Sequence, residues 1–359
     1  MRHPARFGIA ALTLALTAVG CSSSGSGSGS GSASDDRAGG AGKTTLTSCG
    51  RELSFDGPPE RTVALDQSST EVLLELGLED RMAGTSNLKT KIAPEYRTAY
   101  DKIDVLSPKI LTGEQLRAAT PDFTIGGFTD YFTKDRVGTR EELADLGLPS
   151  FVSAVDCPKQ NAAGSGTSTG TSTGKKEGKG VKSPFELLFQ DYNDLGRIFG
   201  VEKRAAKLVE DQRATLATAA RTADKVKDEP TVVWLYSVYG DTPYVAGRSA
   251  IPSEMSRTVG AKNAFDDIDE DWPTVTWEQI AERDPDFLVI GDLSERGKPG
   301  DSAADKLEAI RANPVMSKLP AVEKKRFIEI PGTEMDPSVR TVDALPRLVT
   351  GMKDLGYVR

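Results

Sequence analysis

The sequence predicts an α/β protein of two Rossmann-like lobes joined by a long rigid α-helix. Strand and helix patterns alternate in each half of the chain, which indicates parallel sheets with helices on their faces. Between the halves, apolar residues recur at helical spacing over about 40 residues. A short motif also recurs at equal offsets in the two halves, as expected of two related lobes.

The N-terminus has the pattern of a lipoprotein signal peptide, assigned to residues 1–20. Arg2 and Arg6 precede an apolar run of about ten residues, which is too short to span a bilayer. Because small residues lead into Cys21, we expect Cys21 to carry lipid and hold the protein at the extracytoplasmic face of the cell membrane. The alternative is an ordinary signal peptide with an incidental cysteine. The Gly/Ser-rich residues 21–45 are predicted to be a flexible tether.

Residues 46–183 are assigned to an N-terminal α/β lobe. Its predicted elements, in order, are strand 62–66, helix 69–76, strand 123–125, helix 140–146 and strand 150–152. Residues 160–182, rich in Gly, Ser and Thr and then in Lys, cannot bury a core. They are therefore predicted to be a disordered insertion within this lobe.

Residues 184–228 are assigned to the helical region, and residues 229–359 to a C-terminal α/β lobe. Pro184 is typical of a first helical position, and Gly200 interrupts an apolar stripe that continues over residues 201–223. The predicted elements of the C-terminal lobe are strand 231–236, helix 253–259, helix 276–282, strand 287–290, helix 303–312, strand 326–330 and helix 338–355.

Charge and residue counts exclude several classes of function. The chain of 359 residues has a formal net charge of −8, about −10 once the signal arginines are lost, which argues against nucleic acid and anionic lipid as partners. The lipid is then the only membrane contact, and we expect a monomer. The single histidine, His3, lies in the signal, so imidazole metal sites and Ser-His or Cys-His catalysis are excluded from the mature chain.

The remaining two cysteines are Cys49 and Cys157. In an oxidising compartment a disulfide is expected, and it would close a loop of about a hundred residues. The chain-entropy model assigns such a loop ~4–5 kcal/mol. Two buried thiols are the alternative.

The internal repeat consists of a helix that leads into a core strand. Thr112, Glu114 and Gln115 precede Pro121-Asp122-Phe123, and Thr276, Glu278 and Gln279 precede Pro285-Asp286-Phe287 at the same offsets. Each threonine is a candidate N-cap, and each glutamate falls in a first helical turn, which favours helix stability. The same glutamates could instead form an exposed pair, one on each lobe, for a basic partner.

From Cys49 to Arg359 the chain resembles the helical-backbone substrate-binding proteins of ABC importers, the receptors for iron-siderophores, haem and vitamin B12. The matching stretches are Pro59–Leu65, Val259–Phe265 and, most specifically, Trp272–Glu278 before Pro285-Asp286. The resemblance implies a ligand cleft between the lobes and transmembrane permease subunits as partners.

The resemblance also implies site residues. One glutamate on each lobe of such receptors engages permease arginines, and Glu114 and Glu278 match those positions. Tyr244 and Trp272 match aromatic residues that line the cleft of the vitamin B12 receptor; packing aromatics are the alternative. Further candidates are Arg248 and Arg340 for an anionic ligand, with surface ion pairs as the alternative, and Tyr131 and Phe132 beyond a strand end.

These observations predict a binding protein that captures a ferric siderophore, a hydroxamate first, or a similar metal chelate and delivers it to the permease. We expect a chelated ferric ion rather than a metal site or cofactor of the protein's own. Corrinoids, haem and other anionic cofactors are alternative ligands. A surface hydrolase and a structural lipoprotein are alternatives of other classes; no Gly-x-Ser-x-Gly elbow occurs, and residues 39–44 depart from a phosphate loop because position 37 is Arg.

Overall fold

Two parallel sheets with flanking helices organise the protein in the computed structural model, which describes residues 43–157 and 182–359. The predicted α/β class with two lobes is confirmed. The signal peptide, Cys21, the tether up to residue 42 and nearly all of the 160–182 insertion lie outside the described residues. Within the described ranges, no helix combines the length and apolarity needed to cross a membrane.

An antiparallel hairpin that the sequence patterns did not predict begins the described chain. It consists of β1 (Thr44–Ser48) and β2 (Arg51–Phe55). Its apolar residues alternate inward, and Phe55 meets Phe123 of the first sheet edge-on at 5.3 Å between ring centroids. Cys49, in the hairpin turn, forms a disulfide with Cys157, so the expected pairing is confirmed.

The first lobe contains a five-stranded parallel sheet in the order β5-β4-β3-β6-β7. Its strands are β3 (Thr62–Ala64), β4 (Met82–Ser86), β5 (Val105–Ser107), β6 (Phe123–Gly126) and β7 (Ser150–Val152). Its helices are α1 (Gln67–Glu75), α2 (Arg97–Tyr100), α3 (Gly113–Ala118) and α4 (Arg140–Asp145). The strand order reverses between β3 and β6, the place where open α/β sheets form ligand crevices.

The helical region predicted between the lobes consists of two helices, which meet at the interruption expected at Gly200. The structure has two helices, α5 (Pro184–Phe199) and α6 (Glu202–Ala220), broken at Gly200, which adopts the left-handed conformation with φ of 69°. The two helices fold back on each other. Arg213 of α6 donates two hydrogen bonds to Glu186 of α5, at 2.5 and 2.6 Å.

Helix α6 contacts both lobes, as does α5, whose Tyr192 hydroxyl donates to the Ser338 carbonyl at 3.0 Å. Arg204 in its first turn donates to the carbonyl of Leu76 at 2.9 Å, and Gln212 donates to the carbonyl of Val339 at 2.7 Å. Its 19 residues span about 28 Å. Helix α6 therefore supplies about half of the roughly 40 helical residues predicted, and α5 packs against it.

The second lobe contains parallel strands in the order β10-β8-β11-β12, and β9 pairs antiparallel with β8. The strands are β8 (Thr231–Tyr239), β9 (Thr242–Val245), β10 (Lys262–Asn263), β11 (Phe287–Asp292) and β12 (Phe327–Pro331). The helices are α7 (Ile251–Thr258), α8 (Trp277–Glu282), α9 (Ala303–Ala312), α10 (Pro320–Glu323) and α11 (Ala344–Asp354).

Helix α11 starts six residues after its predicted beginning. Residues 332–342 form instead a largely buried segment between the lobes. A local turn competes with the helix there, because the Ser338 N–H donates to the Thr341 hydroxyl at 3.1 Å and that hydroxyl donates to the Asp336 carbonyl at 2.5 Å.

The sequence repeat is a structural repeat. Thr112 and Thr276 each cap their helix in a capping box with the glutamine three residues later. Asp122 accepts hydrogen bonds from the backbone of Glu60 and Arg61 just before β3. Asp286 likewise accepts from the backbone and hydroxyl of Thr231 at the start of β8. Each aspartate therefore ties its strand to the neighbouring strand.

Candidate ligand-binding cleft

The carboxyl ends of the two sheets meet at a cluster of side chains from both lobes. Lys89 follows β4 and Phe128 follows β6, whereas Tyr236 lies in the C-terminal half of β8 and Asp336 follows β12. Lys89 Nζ lies 2.8 Å from Asp336 Oδ2, 4.5 Å from the Phe128 ring centroid and 6.0 Å from that of Tyr236. This group is called the cleft floor below.

The ion pair at the floor is buried. Burial raises the pKa of Asp336, and the adjacent Lys89 opposes that rise. Burial alone would lower the pKa of Lys89, but the adjacent Asp336 raises it well above its usual range. Tyr236 also contacts Asp336, with its hydroxyl 3.3 Å from Oδ2. The other oxygen of Asp336, Oδ1, accepts no hydrogen bond from the described residues.

A polar seam continues behind the floor. Thr333 of the second lobe lies 3.2 Å from Gln67 Oε1 and 3.1 Å from the Thr90 hydroxyl, both of the first lobe. Gln67 Oε1 in turn accepts from the backbone of Lys89 and Thr90 at 2.9 Å. These buried contacts join the two lobes beside the floor.

Arg340 belongs to this seam rather than to a ligand site, which corrects its selection as an anion-binding residue. Its guanidinium lies 3.4 Å from Glu71 and 3.6 Å from Glu334, and its side chain is 12% exposed. Burial raises the pKa of both carboxyls, and the arginine opposes that rise. Arg340 is thus occupied in compensating two buried acids from different lobes.

Four rings of the second lobe form a continuous surface, here called the aromatic platform: Tyr236, Tyr239, Tyr244 and Trp272. Trp272 lies 4.7 Å from Tyr236 between centroids, and it stacks on Tyr244 at 6.0 Å with 27° between the planes. Tyr239 meets Tyr244 at 5.6 Å. Burial raises the pKa of Tyr244 to about 12, so its hydroxyl stays protonated at neutral pH.

The hairpin of β8 and β9 positions the platform. Residues 271–275 pair with β9 as a further extended segment, with hydrogen bonds Val245 N–H to Pro273 O at 3.1 Å and Val275 N–H to Pro243 O at 3.0 Å. Gly247 permits this approach, because a Cβ there would lie 2.2 Å from the carbonyl oxygen of Glu270. Tyr244 and Trp272, both predicted from the sequence, are brought together in this way.

The first lobe contributes fewer rings than predicted. Phe128 is partly exposed and packs edge-on against Tyr131 at 5.9 Å. Tyr131 is 4% exposed, and its hydroxyl accepts from Asn87 at 3.2 Å beneath the floor. Phe132 is buried in the core of the first lobe, which corrects its selection as a cleft residue. The ring that reaches the cleft is Phe128.

Two arginines of the second lobe bear on the candidate site: Arg248, which the sequence indicated, and Arg296, which it did not. Arg248 forms an exposed ion pair with Asp269 at 3.4 Å, the alternative considered for it. Arg296, which no pattern indicated, lies at the platform. Its Nη2 is 3.3 Å from the Tyr239 hydroxyl, and its Nε is 3.2 Å from the buried carboxylate of Asp301.

Glu114 and Glu278 both lie exposed in the first turn of their capped helices, α3 and α8. Within the described chain neither forms a hydrogen bond or an ion pair. The extended segment that contains Trp272 and pairs with β9 leads directly into α8, which carries Glu278. Trp277, between them, donates to Asp241 at the hairpin tip at 3.0 Å.

The residues missed from the sequence differ in how they could have been found. Tyr236 lies in the C-terminal half of β8, Tyr239 ends that strand, and Phe128 follows β6. The rule that ligands bind at the carboxyl ends of parallel strands therefore indicates this region. Lys89 and Arg296 follow no periodic signal, because their positions depend on how loops cross the strand ends. Within residues 43–157 and 182–359 no group of three or more His, Cys, Asp or Glu side chains is arranged to hold a metal ion.

Comparisons with known proteins agree with this geometry. Residues 62–333 match the sequence profile of the periplasmic binding protein family. An uncharacterized ABC transporter substrate-binding lipoprotein of Bacillus subtilis, YvrC, is 22% identical over 306 residues, which cover 85% of this chain and 81% of the relative.

Two solved structures are similar over nearly their full length. A periplasmic binding protein from Veillonella parvula is 29% identical with a TM-score of 0.69, covering 86% of this chain and 97% of that one. A protein of an ABC-type Fe3+-hydroxamate transport system from Saccharomonospora viridis is 25% identical with a TM-score of 0.67, covering 86% and 98% of the two chains.

Proposed function

Since this chain belongs to the periplasmic binding protein family and is the substrate-binding protein of an ABC transporter, we propose that it captures a ferric hydroxamate siderophore or a similar metal chelate. The bound chelate would be delivered to the transmembrane permease subunits. The observation that carries the proposal is the aromatic platform at the carboxyl ends of the second sheet, with Phe128 of the first lobe across the floor.

The platform suits a chelate more than a bare ion. Rings offer dispersion and cation–π contacts to an organic shell. The raised pKa of Tyr244, about 12, keeps its phenol protonated at neutral pH and disfavours direct phenolate coordination of Fe³⁺. The mature chain has no histidine, since its single His3 precedes Cys21. The likeness to a protein of an Fe3+-hydroxamate transport system, at 25% identity, supports the same class of ligand. Corrinoids and haem, which also present large organic surfaces, are the alternative ligands.

Attachment through Cys21 is part of the proposal. The small residues before Cys21 and the Gly/Ser tether after it support lipidation, and the relative YvrC is described as a lipoprotein. The tether would let a monomeric receptor stay near its permease while Glu114 and Glu278 dock on it. A hydrolase is the alternative of a different class, and nothing in the arrangement of the cleft favours it.

Intrinsic fluorescence tests the ligand proposal. The chain has three tryptophans, of which Trp234 and Trp277 are buried, at 0% and 3% exposure, and only Trp272 lies at the cleft. Titration with ferrioxamine B, ferrichrome, cyanocobalamin and haemin should quench the protein with one class at micromolar affinity or better. Trp272→Phe should remove most of the quenching, whereas the matched Trp277→Phe should retain it.

The result that would contradict the proposal is saturable binding without involvement of the platform. If calorimetry detects binding but Trp272→Phe and Tyr244→Ala leave the affinity and the quenching unchanged, the ligand lies elsewhere. If no chelate in the panel binds and the protein turns over an ester or a glycan, the hydrolase alternative replaces the receptor.

A further inference from the structure

The charge around the aromatic platform is unbalanced towards acid. Among the described residues, two cationic side chains lie over rings of the platform: Lys89 over Tyr236, and Arg296 at 5.9 Å from the Tyr239 centroid. Each already has a buried carboxylate, Asp336 at 2.8 Å for Lys89 and Asp301 at 3.2 Å for Arg296. Neither therefore offers a net positive charge to a ligand.

Two carboxylates of the first lobe, Asp156 and Asp130, lie within electrostatic range of the platform or of its neighbouring acids, and one of them lacks a cationic partner among the described residues. Asp156 accepts hydrogen bonds from the Thr129 backbone and hydroxyl, at 2.6 and 2.8 Å, and it has no cationic partner within the described chain. Burial raises its pKa to about 6, and the carboxylates of Asp271 and Asp130 add to the rise. Asp156 is thus largely ionised at neutral pH despite a field that opposes its charge. Asp130 itself pairs with Arg136 at 2.6 Å.

The second lobe adds acid beside the same rings. Residues 266–271, immediately before Trp272, contain five carboxylates in six positions. Arginines pair with Asp266, Asp267 and Asp269, whereas Glu270 is exposed and forms no ion pair within the described residues. Asp130 and Asp271, one from each lobe, also raise the pKa of Tyr244, after the larger effect of burial. Their fields therefore meet at the platform.

The floor shows that these rings accept a cation, because the Lys89 ammonium lies between Phe128 and Tyr236. The buried Asp336 Oδ1 also lacks a hydrogen-bond donor. A ligand with a donor or a positive charge would complement both features. A ligand with extra negative charge would meet acids on both lobes and no uncompensated cation at the rings.

We propose that the cleft selects by charge, taking ferric chelates that are neutral or positively charged and excluding anionic chelates such as tris-catecholates and ferric carboxylates. This inference rests on the proposed function and narrows it. Clefts lined by one sign of charge concentrate ligands of the opposite sign and repel those of the same sign. The anionic cofactors considered among the alternatives are disfavoured on the same grounds.

A series of ligands with one iron core and different charge tests the proposal. Ferrioxamine B carries a positive amine, its N-acetyl derivative is neutral at that end, and its N-succinyl derivative is negative there. With the full chain purified in detergent, calorimetry at low salt should give affinities that fall in this order, by about tenfold between the ends. The difference should shrink in concentrated salt, because screening weakens interactions between exposed charges.

Asp156→Asn should reduce the preference for the cationic ligand about twofold and leave the affinity for the neutral one unchanged. The matched control Glu323→Gln alters an exposed carboxylate on α10, before the opposite end of β12, and should change neither. Equal affinities across the series, or tightest binding of the succinyl form, would overturn charge selection while leaving the receptor function intact. Failure of all three ligands and of ferrichrome to bind would instead contradict the proposed function.

Discussion

The two lobes contain the same helix-to-strand unit, yet only the second builds a recognition surface beside it. In both units a threonine caps a short helix, a glutamate is exposed in the first turn, and an aspartate ties the following strand to its neighbour. The residue between cap and glutamate differs: it is Gly113 in the first lobe and Trp277 in the second. Trp277 is fastened to the β8–β9 hairpin, an element that the first sheet lacks among its described strands.

The lobes also differ in how they are stabilised. The first is joined by a disulfide to the N-terminal hairpin and is tied through Asp191 of α5 to the end of β7, whereas the second has the longer strands and a buried Lys306. The comparison teaches that short local motifs can repeat faithfully while ligand recognition depends on what packs around them.

The largest expected effect is the loss of stability on removal of the disulfide, which should affect the first lobe more than the second. Cys49→Ala with Cys157→Ala should lower the free energy of unfolding by ~4–5 kcal/mol, since the bond spans 108 residues. Hydrogen exchange should rise more in β3–β7 than in β8–β12, because the cross-link lies in the first lobe. Equal loss of protection in both sheets would show that the lobes unfold as one unit.

The next effect concerns buried charge and pH. Burial raises the pKa of Asp191 to about 7, so the folded state disfavours its ionised form. The stability it contributes is present below the unfolded pKa near 3.8 and is lost as pH rises through about 7, on the order of 4 kcal/mol. Asp191→Asn should therefore become more stable relative to wild type between pH 4 and pH 8 in thermal melts.

Lys306 of the second lobe should give the opposite dependence of stability on pH. Burial lowers its pKa to about 8, so its charged form is disfavoured and wild-type stability should rise as pH increases from about 8 towards its ordinary 10.5. Glu308→Gln, an exposed change on the same helix at a residue that is not among the charges acting on Lys306, should leave this pH dependence unchanged. If the stability of Asp191→Asn relative to wild type does not change between pH 4 and pH 8, the ionised Asp191 carboxylate is compensated within the fold.

The third effect tests whether the exposed glutamates act as a pair. The double variant Glu114→Ala and Glu278→Ala should reduce cellular uptake about tenfold or more and leave ligand affinity within about twofold, because neither residue contacts the cleft. A matched double variant, Glu52→Ala with Glu308→Ala, also removes one exposed carboxylate from each lobe and should preserve uptake. Normal uptake in the first variant would leave helix stabilisation as the role of both glutamates.

The smallest effect compares the two aspartate ties. Asp286→Ala should cost about 1–3 kcal/mol, because it strands partly buried donors of Thr231, whereas Asp122→Ala should cost about 1 kcal/mol or less at its exposed site. Thermal melts of the two variants, with the Asn replacements as controls that keep an acceptor, measure the difference. Equal shifts would mean that burial does not distinguish the ties.

Local pattern was sufficient for some elements and not for others. Core strands such as Phe287–Asp292 are continuous apolar runs, and α5 shows its stripe at helical spacing. β4, with the sequence Met-Ala-Gly-Thr-Ser, carries no such signal, since its place in the sheet depends on neighbours rather than on its own apolarity. For the helical region the pattern indicated the periodicity but not the chain direction, because the spacing of apolar residues does not show that the turn at Gly200 folds α6 back on α5.

By itself, the sequence determined the α/β class, the internal repeat, the cysteine pair, the two exposed glutamates and the rings Tyr244 and Trp272. Each of these depends on short-range chemistry: side-chain periodicity, capping or residue identity. The tertiary structure alone decided that Arg340 bridges the lobes, that Phe132 is core, and that Lys89, Arg296 and Phe128 reach the cleft. Those placements depend on contacts between residues distant in sequence, where burial and charge compensation choose one partner among many.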